Sequence, residues 1–184
     1  MKRSSKFETP TYLAIEENAR IFLSKKYKNY GFFPLAEGSW VVDWAVYSNG
    51  FLCGFAEFRR RFVSRDQYPD FRFSAAKWAK LVSLQETFNV PSVFYLQYND
   101  ALCVIKGLDN GLPAKFVPFG RNRMRDAMDA EPSVIIPIEK IEVVHFGCVS
   151  DTLTDRPAGR SSDAEADAIQ SFGVNFRREM GFTE

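Results

Sequence analysis

The sequence predicts an α/β or α+β sandwich in which a mixed central β-sheet carries amphipathic helices on either side. Three observations lead there. A helical apolar stripe near the N-terminus precedes an alternating hairpin. A second helical segment separates that hairpin from another strand pair, and two further short β-branched runs follow.

The elements follow in order. Thr9 and Pro10 open the first helix as N-cap and N1. Tyr12, Ile15, Ala19, Phe22, Leu23 and Tyr27 recur at helical spacing, and Gly31 ends the run. Glu16 falls on this stripe, and a carboxylate facing a core needs a partner or a metal. Lys25, Lys26 and Lys28 suit the helix C-terminus. Trp40 to Tyr47 and Phe51 to Arg59 read as strands around Ser48-Asn49-Gly50. Ser74 N-caps a helix through Phe88, closed by Asn89 and Pro91. Val93 to Leu96 and Leu102 to Ile105 form a strand pair turning at Asn99-Asp100. Residues 107–132, rich in Gly, Pro and charge, are expected to be irregular. Val134 to Ile138 and Ile141 to Phe146 are late strands, expected at a sheet edge because Pro137 interrupts them. The indoles Trp40, Trp44 and Trp78 and the single histidine, His145, are expected to be structural.

Composition divides the chain into a body, residues 1–149, and a polar linker with a short helical tail, residues 150–184. Ser162 and Glu165 give the tail a capping-box pattern. Residues 151–184 hold seven acids against four arginines, whereas the preceding 150 residues hold 20 bases and 16 acids. A mildly basic body with an acidic tail permits nucleic-acid binding, and the tail offers a surface for a protein partner. A homodimer is equally compatible. The longest aliphatic run, Val134-Ile135-Ile136, is far below the roughly 20 residues of a membrane span. The basic N-terminus lacks a following apolar segment, so no secretion signal is expected and the chain reads as cytoplasmic.

Scarcity excludes whole chemistries. One histidine and three cysteines, none in CxxC spacing, leave no thiolate zinc site, thioredoxin motif or HExxH motif. No GxSxG and no Walker A pattern is present. Hydrolytic chemistry, if any, must run on carboxylates and cations. Asp43 interrupts the apolar strand WVVDWAVY, and Glu57 and Arg59 lie near the end of FLCGFAEFR. Alternation puts Glu57, Arg59 and Arg61 on one face. A strict Asn49-Gly50 turn would send Asp43 and Glu57 to opposite faces. A three-residue Ser48-Asn49-Gly50 loop would pair Tyr47 with Phe51 and bring them together, and Gly54 offers a second bulge position. The three-residue loop is the register expected here. Two carboxylates can hold Mg²⁺ or Mn²⁺ for phosphodiester hydrolysis. The same residues also fit a bland strand-end acid and an exposed Glu57–Arg59 ion pair.

Asp43 followed by Glu57-Phe58-Arg59 resembles the motif of the PD-(D/E)XK nuclease superfamily, and more closely its phage-encoded, Holliday junction resolvase-like branch. Arg61, Tyr68 and Ser74-Ala75-Ala76-Lys77-Trp78 are similar to the conserved run that follows in that branch. Gly120-Arg121, Arg125-Asp126, Asp129 and Glu131-Pro132, then Ile136-Pro137, resemble its arginine-rich loop and next strand. Glu16 matches the acid that such proteins carry on the first helix. The likeness spans residues 12–140. It implies a restriction-endonuclease-like core and a divalent-metal-dependent DNA endonuclease of phage or prophage type, working in the bacterial host, with branched DNA as a candidate substrate. Asp43, Glu57 and Glu16 would serve the metal, and Arg59 and Lys77 would stabilise charge. Arg61, Arg65, Arg121, Arg123 and Arg125 would contact DNA. Two positions depart from the motif: Val42 replaces its proline and Arg59 its lysine. Arginine keeps its proton at working pH and cannot act as a general base. That departure leaves a second expectation, a catalytically inactive protein of the same fold that binds DNA or a protein partner.

Overall fold

Thr9 caps the first helix as its sequence demands, its hydroxyl accepting from the Tyr12 N–H at 3.2 Å. The computed structural model describes residues 9–35, 42–108, 115–117 and 132–149. Helix α1 spans Pro10–Lys26, with Ala19 and Leu23 fully buried on its inner face and Lys25 and Lys26 in its last turn. Strand β1, Gly31–Pro34, follows and was not anticipated. Its four residues, bracketed by Gly and Pro, are too short to display an alternating pattern. Strands β2, Trp44–Ser48, and β3, Phe51–Arg60, form the expected hairpin.

The hairpin turn has two residues, because Ser48 pairs with Phe51. Asn49 and Gly50 both take positive φ, 51° and 80°. This is the conformation a two-residue hairpin turn requires and that glycine adopts without a steric penalty. The three-residue loop is therefore corrected. Its consequence survives by another route. The ladder runs Tyr47 to Leu52 and then Val46 to Gly54, leaving Cys53 as an inserted residue on β3. One extra residue reverses which side chains share a face with the partner strand. Beyond it Trp44 pairs with Ala56, and that register carried one residue past the start of β2 sets Asp43 opposite Glu57.

Strand β4, Asp70–Ser74, was also unanticipated; it leads directly into helix α2, Ala75–Phe88. The Ser74 hydroxyl accepts from the Lys77 N–H at 3.3 Å, the predicted cap, and Asn89 ends the helix in a left-handed conformation. Strands β5, Ser92–Gln97, and β6, Ala101–Ile105, are buried along their whole length. Lys115–Val117 forms β7 inside the stretch expected to be irregular. Strands β8, Ser133–Pro137, and β9, Glu142–Phe146, complete the order.

A six-stranded mixed sheet runs β1-β2-β3-β5-β6-β9, in which β3 and β5 are parallel and the other pairs antiparallel. The predicted mixed central sheet is thus present. A second sheet, β4-β8-β7, was missed. It makes β8 a central strand, so the expectation of a sheet edge is corrected there. Pro137 is tolerated because it is the last residue of β8, opposite Asp70.

Two cores lie on opposite faces of the large sheet. Trp44, Phe58, Tyr95 and Leu102 pack with Leu23 of α1. On the other face Phe55, Phe94 and Leu96 pack with Trp78 and Leu81 of α2 and with Phe71, Phe73 and Ile136 of the smaller sheet. The Trp44 ring lies 5.5 Å from Phe58 and 6.0 Å from Phe32. Trp78 is likewise core, whereas Trp40 lies outside the described residues. The His145 ring sits 4.9 Å from Phe22, consistent with its structural reading.

Trp44→Ala empties the centre of the α1-side core, and urea unfolding should register a loss of about 3–5 kcal/mol. Burial pushes the Cys103 thiol up to about 11 and the Tyr98 phenol up to about 12. The unfolded groups release their protons first, near about 8.5 and 10. Stability is therefore complete below those unfolded values and lost as pH rises through about 8.5 to 12. A urea midpoint that is flat from about pH 7 to 8 and falls across that alkaline window is the expected record.

Candidate active site

Strand β3 lies near the middle of the large sheet, so side chains on its second half are surrounded on both flanks. Glu57 shares the face of Phe55 and retains only 1% of its side-chain exposure. A carboxylate there has lost its water, and an ionised group so placed requires a partner. Helix α2 supplies one. The Ser74 cap fixes its first turn, and Lys77 in that turn pairs its Nζ with Oε1 of Glu57. Lys77 keeps 34% side-chain exposure, so the ammonium reaches in from the solvent margin. The second oxygen, Oε2, is buried and has no hydrogen-bond partner among the described residues.

Asp43 stands beside this pair at the point where β2 begins. Its Oδ2 accepts from the Phe58 N–H at 2.7 Å, and its carbonyl accepts from the Leu35 N–H at 2.9 Å. The side chain thus takes the place of a ladder acceptor, which anchors it against β3. It remains half-buried, and the Cys53 bulge puts it on the side of Glu57.

Helix α1 reaches the site from the opposite face. The Tyr12 hydroxyl donates to the Phe58 carbonyl at 3.3 Å. Burial raises the Tyr12 phenol first; the charge of Arg59 offsets this, while those of Asp43 and Glu16 add to it. Tyr12 therefore lies within electrostatic reach of three predicted site residues. It is the functional candidate that sequence reasoning placed only in an apolar stripe. The available signal was its spacing, one helical turn before Glu16 on the same face.

The structure brings Asp43, Glu57 and Lys77 together, sets Glu16 and Arg59 within the same field, and leaves Arg59 exposed. The remaining arginines separate. Arg61 lies over the Phe71 ring at 5.6 Å. Arg65, expected to clamp phosphate, is instead turned onto the protein. It pairs with Asp66 at 2.7 Å and donates to the Ile138 carbonyl at 2.9 Å, tying the β3–β4 connection to the segment after β8. Arg121, Arg123 and Arg125, and the whole tail from residue 150, lie outside the described residues.

Two carboxylates, Asp43 just before β2 and Glu57 on β3, the latter with a buried oxygen unpartnered among the described residues, suit a small hard cation that keeps waters in its remaining positions. No cluster of three or more His, Cys, Asp or Glu side chains that could hold a metal forms among the described residues. No helix among them is long and apolar enough to cross a membrane.

A double-mutant cycle tests the ion pair. Lys77→Met leaves a buried charge uncompensated and should cost about 1–3 kcal/mol, less than a fully buried pair because lysine is partly solvated. Glu57→Gln with Lys77→Met should cost less than the sum of the two single changes, a coupling readable by urea unfolding.

The chain is similar to the structure, at 1.6 Å resolution, of Archaeoglobus fulgidus Hjc, a Holliday junction resolvase from an archaeal hyperthermophile. The TM-score is 0.42 at 13% identity, covering 66% of this chain and 87% of that one. No curated protein matches the sequence. A family model described as "Phage putative PDDEXK endonuclease" matches residues 1–144, most of the chain, and by that match the chain belongs to this PD-(D/E)XK family.

Proposed function

We propose that the protein is a divalent-metal-dependent endonuclease that hydrolyses phosphodiester bonds in DNA within the bacterial host of a phage or prophage. The observation that carries this reading is Oε2 of Glu57, a buried carboxylate oxygen without a hydrogen-bond partner among the described residues, beside a second carboxylate, Asp43. An oxygen in that state is expensive unless a cation or water fills its valence. Asp43 and Glu57 would hold Mg²⁺ or Mn²⁺, with Glu16 supporting the site across a water. The bound ion would supply Lewis-acid stabilisation of the phosphoryl oxygens and an activated water.

The chain's own side chains do the rest. The Phe58 N–H holds Asp43 in place, and Tyr12 ties α1 to the same strand through the Phe58 carbonyl. Lys77 brings a compact ammonium to Glu57 from α2, at a site whose strand position is filled by Arg59. Arg59, permanently charged and exposed, would neutralise a phosphate rather than take a proton. Arg61 and the arginines at 121, 123 and 125 would offset the acids' repulsion of the DNA backbone. Arg65, committed to Asp66 and to a backbone carbonyl, is left out of that set.

Purified protein with Mg²⁺ or Mn²⁺ should cut linear, nicked or four-way branched DNA at low salt, and a chelator should abolish cleavage. Asp43→Asn and Glu57→Gln should each lower the rate by at least about 100-fold while leaving the fold intact by circular dichroism. An inactive wild type that retards DNA without metal would replace this reading with a non-catalytic binder of the same fold.

A further inference from the structure

We infer that Lys77 is an internal counter-cation that holds Glu57 before a metal arrives and competes with it, so the lysine weakens divalent-metal binding instead of assisting it. The inference rests on the two-carboxylate metal reading and goes beyond it. Three observations carry it. Glu57 is buried to 1% exposure, so its charge must be compensated at all times. The compensating group is Lys77, whose Nζ engages one of the two Glu57 oxygens. Lys77 is half-buried, at 34% side-chain exposure, so part of its side chain already lies in solvent. An arriving dication and an ammonium a few ångströms apart repel each other, and in a partly buried setting that repulsion is strong. Lys77 must then swing outward, which costs affinity for the ion. The arrangement sets a threshold: the carboxylates stay neutralised and folded without metal, and the site charges only when the cation is abundant or DNA phosphates accompany it.

Calorimetry of the full chain with Mn²⁺ alone, at one fixed pH and salt, tests this. Lys77→Met and Lys77→Gln should bind Mn²⁺ about tenfold more tightly than wild type, while Lys77→Arg, which keeps the charge, should stay within about twofold. Neutral variants that bind no more tightly than wild type, with Glu57→Gln losing the ion, would overturn the inference and leave the metal site standing. Wild type and neutral variants that both ignore Mn²⁺ to millimolar concentrations would remove the metal site and the inference together. A measurement on unmodified protein covers the case in which the neutral variants do not fold. Saturating Mn²⁺ should raise labelling of Lys77 by an amine reagent several-fold, read by peptide mass spectrometry, with Lys80 unchanged as the internal reference. Lys77 labelling that is unaltered by bound Mn²⁺ would overturn the inference.

Discussion

A carboxylate in the middle of an apolar sheet imposes more on its surroundings than any single hydrophobic contact does. Stripping Glu57 of water costs several kcal/mol, and attraction to one partly solvated lysine returns only part of it. A leucine of similar volume would fill the place between Phe55 and the α2 core without that penalty. Much of the local structure exists to make the charge tolerable. Ser74 caps α2 so that its first turn begins where Lys77 can reach Glu57, and β3 runs parallel to β5, which flanks the carboxylate on the second side. Even so one oxygen remains without a partner among the described residues. A group retained at such cost and left incompletely satisfied is a feature expected of a reactive site more than of a scaffold.

The second constraint is register. Along a strand the side-chain period is two, so the relation between Asp43 and Glu57 depends on whether the number of residues between them is read with or without an extra one. Asn49-Gly50 makes a tight turn with both residues at positive φ, and an uninterrupted ladder from there would separate the acids. Cys53, inserted opposite the Val46–Tyr47 step, reverses the parity. The local turn chemistry and the functional pairing are thus reconciled by a single bulge a few residues from the turn, next to Gly54, where the absence of a side chain eases the distortion.

The arginines show how little a linear cluster says about what each member does. Arg60 donates to the carbonyls of Arg61 and Gln97 and to Asn99, and its guanidinium lies 4.7 Å from the Phe62 ring. Arg61 covers Phe71, Arg65 ties two connections together, and Arg59 faces solvent beside the acids. Four guanidinium groups within seven positions divide between holding the β3–β4 connection and facing solvent. Arginine suits both tasks because its planar fork binds carbonyls, aromatic faces and phosphates alike. The departure of Arg59 from the family motif is read in that light: the ammonium at Glu57 comes from Lys77 on the helix, and the strand position keeps a permanent charge at the rim.

Local signals in the sequence settled both helices with their Thr9 and Ser74 caps, the strands of the large sheet other than β1, and the burial of Trp44 and Trp78. Each of these follows from chemistry within a few residues, namely caps, apolar period and turn-formers. The smaller sheet was not legible, because β4 finds its partner only in β8, far along the chain, and β7 sits amid glycine and proline. Nor could local pattern assign Arg65 to the protein rather than to DNA, or show Tyr12 bound to Phe58. Above all, the Asp43–Glu57 pairing was decided by the tertiary structure. A bulge is a choice between two ladders of nearly equal local energy, and packing of alternate faces against α1 and α2 over the whole strand selects between them.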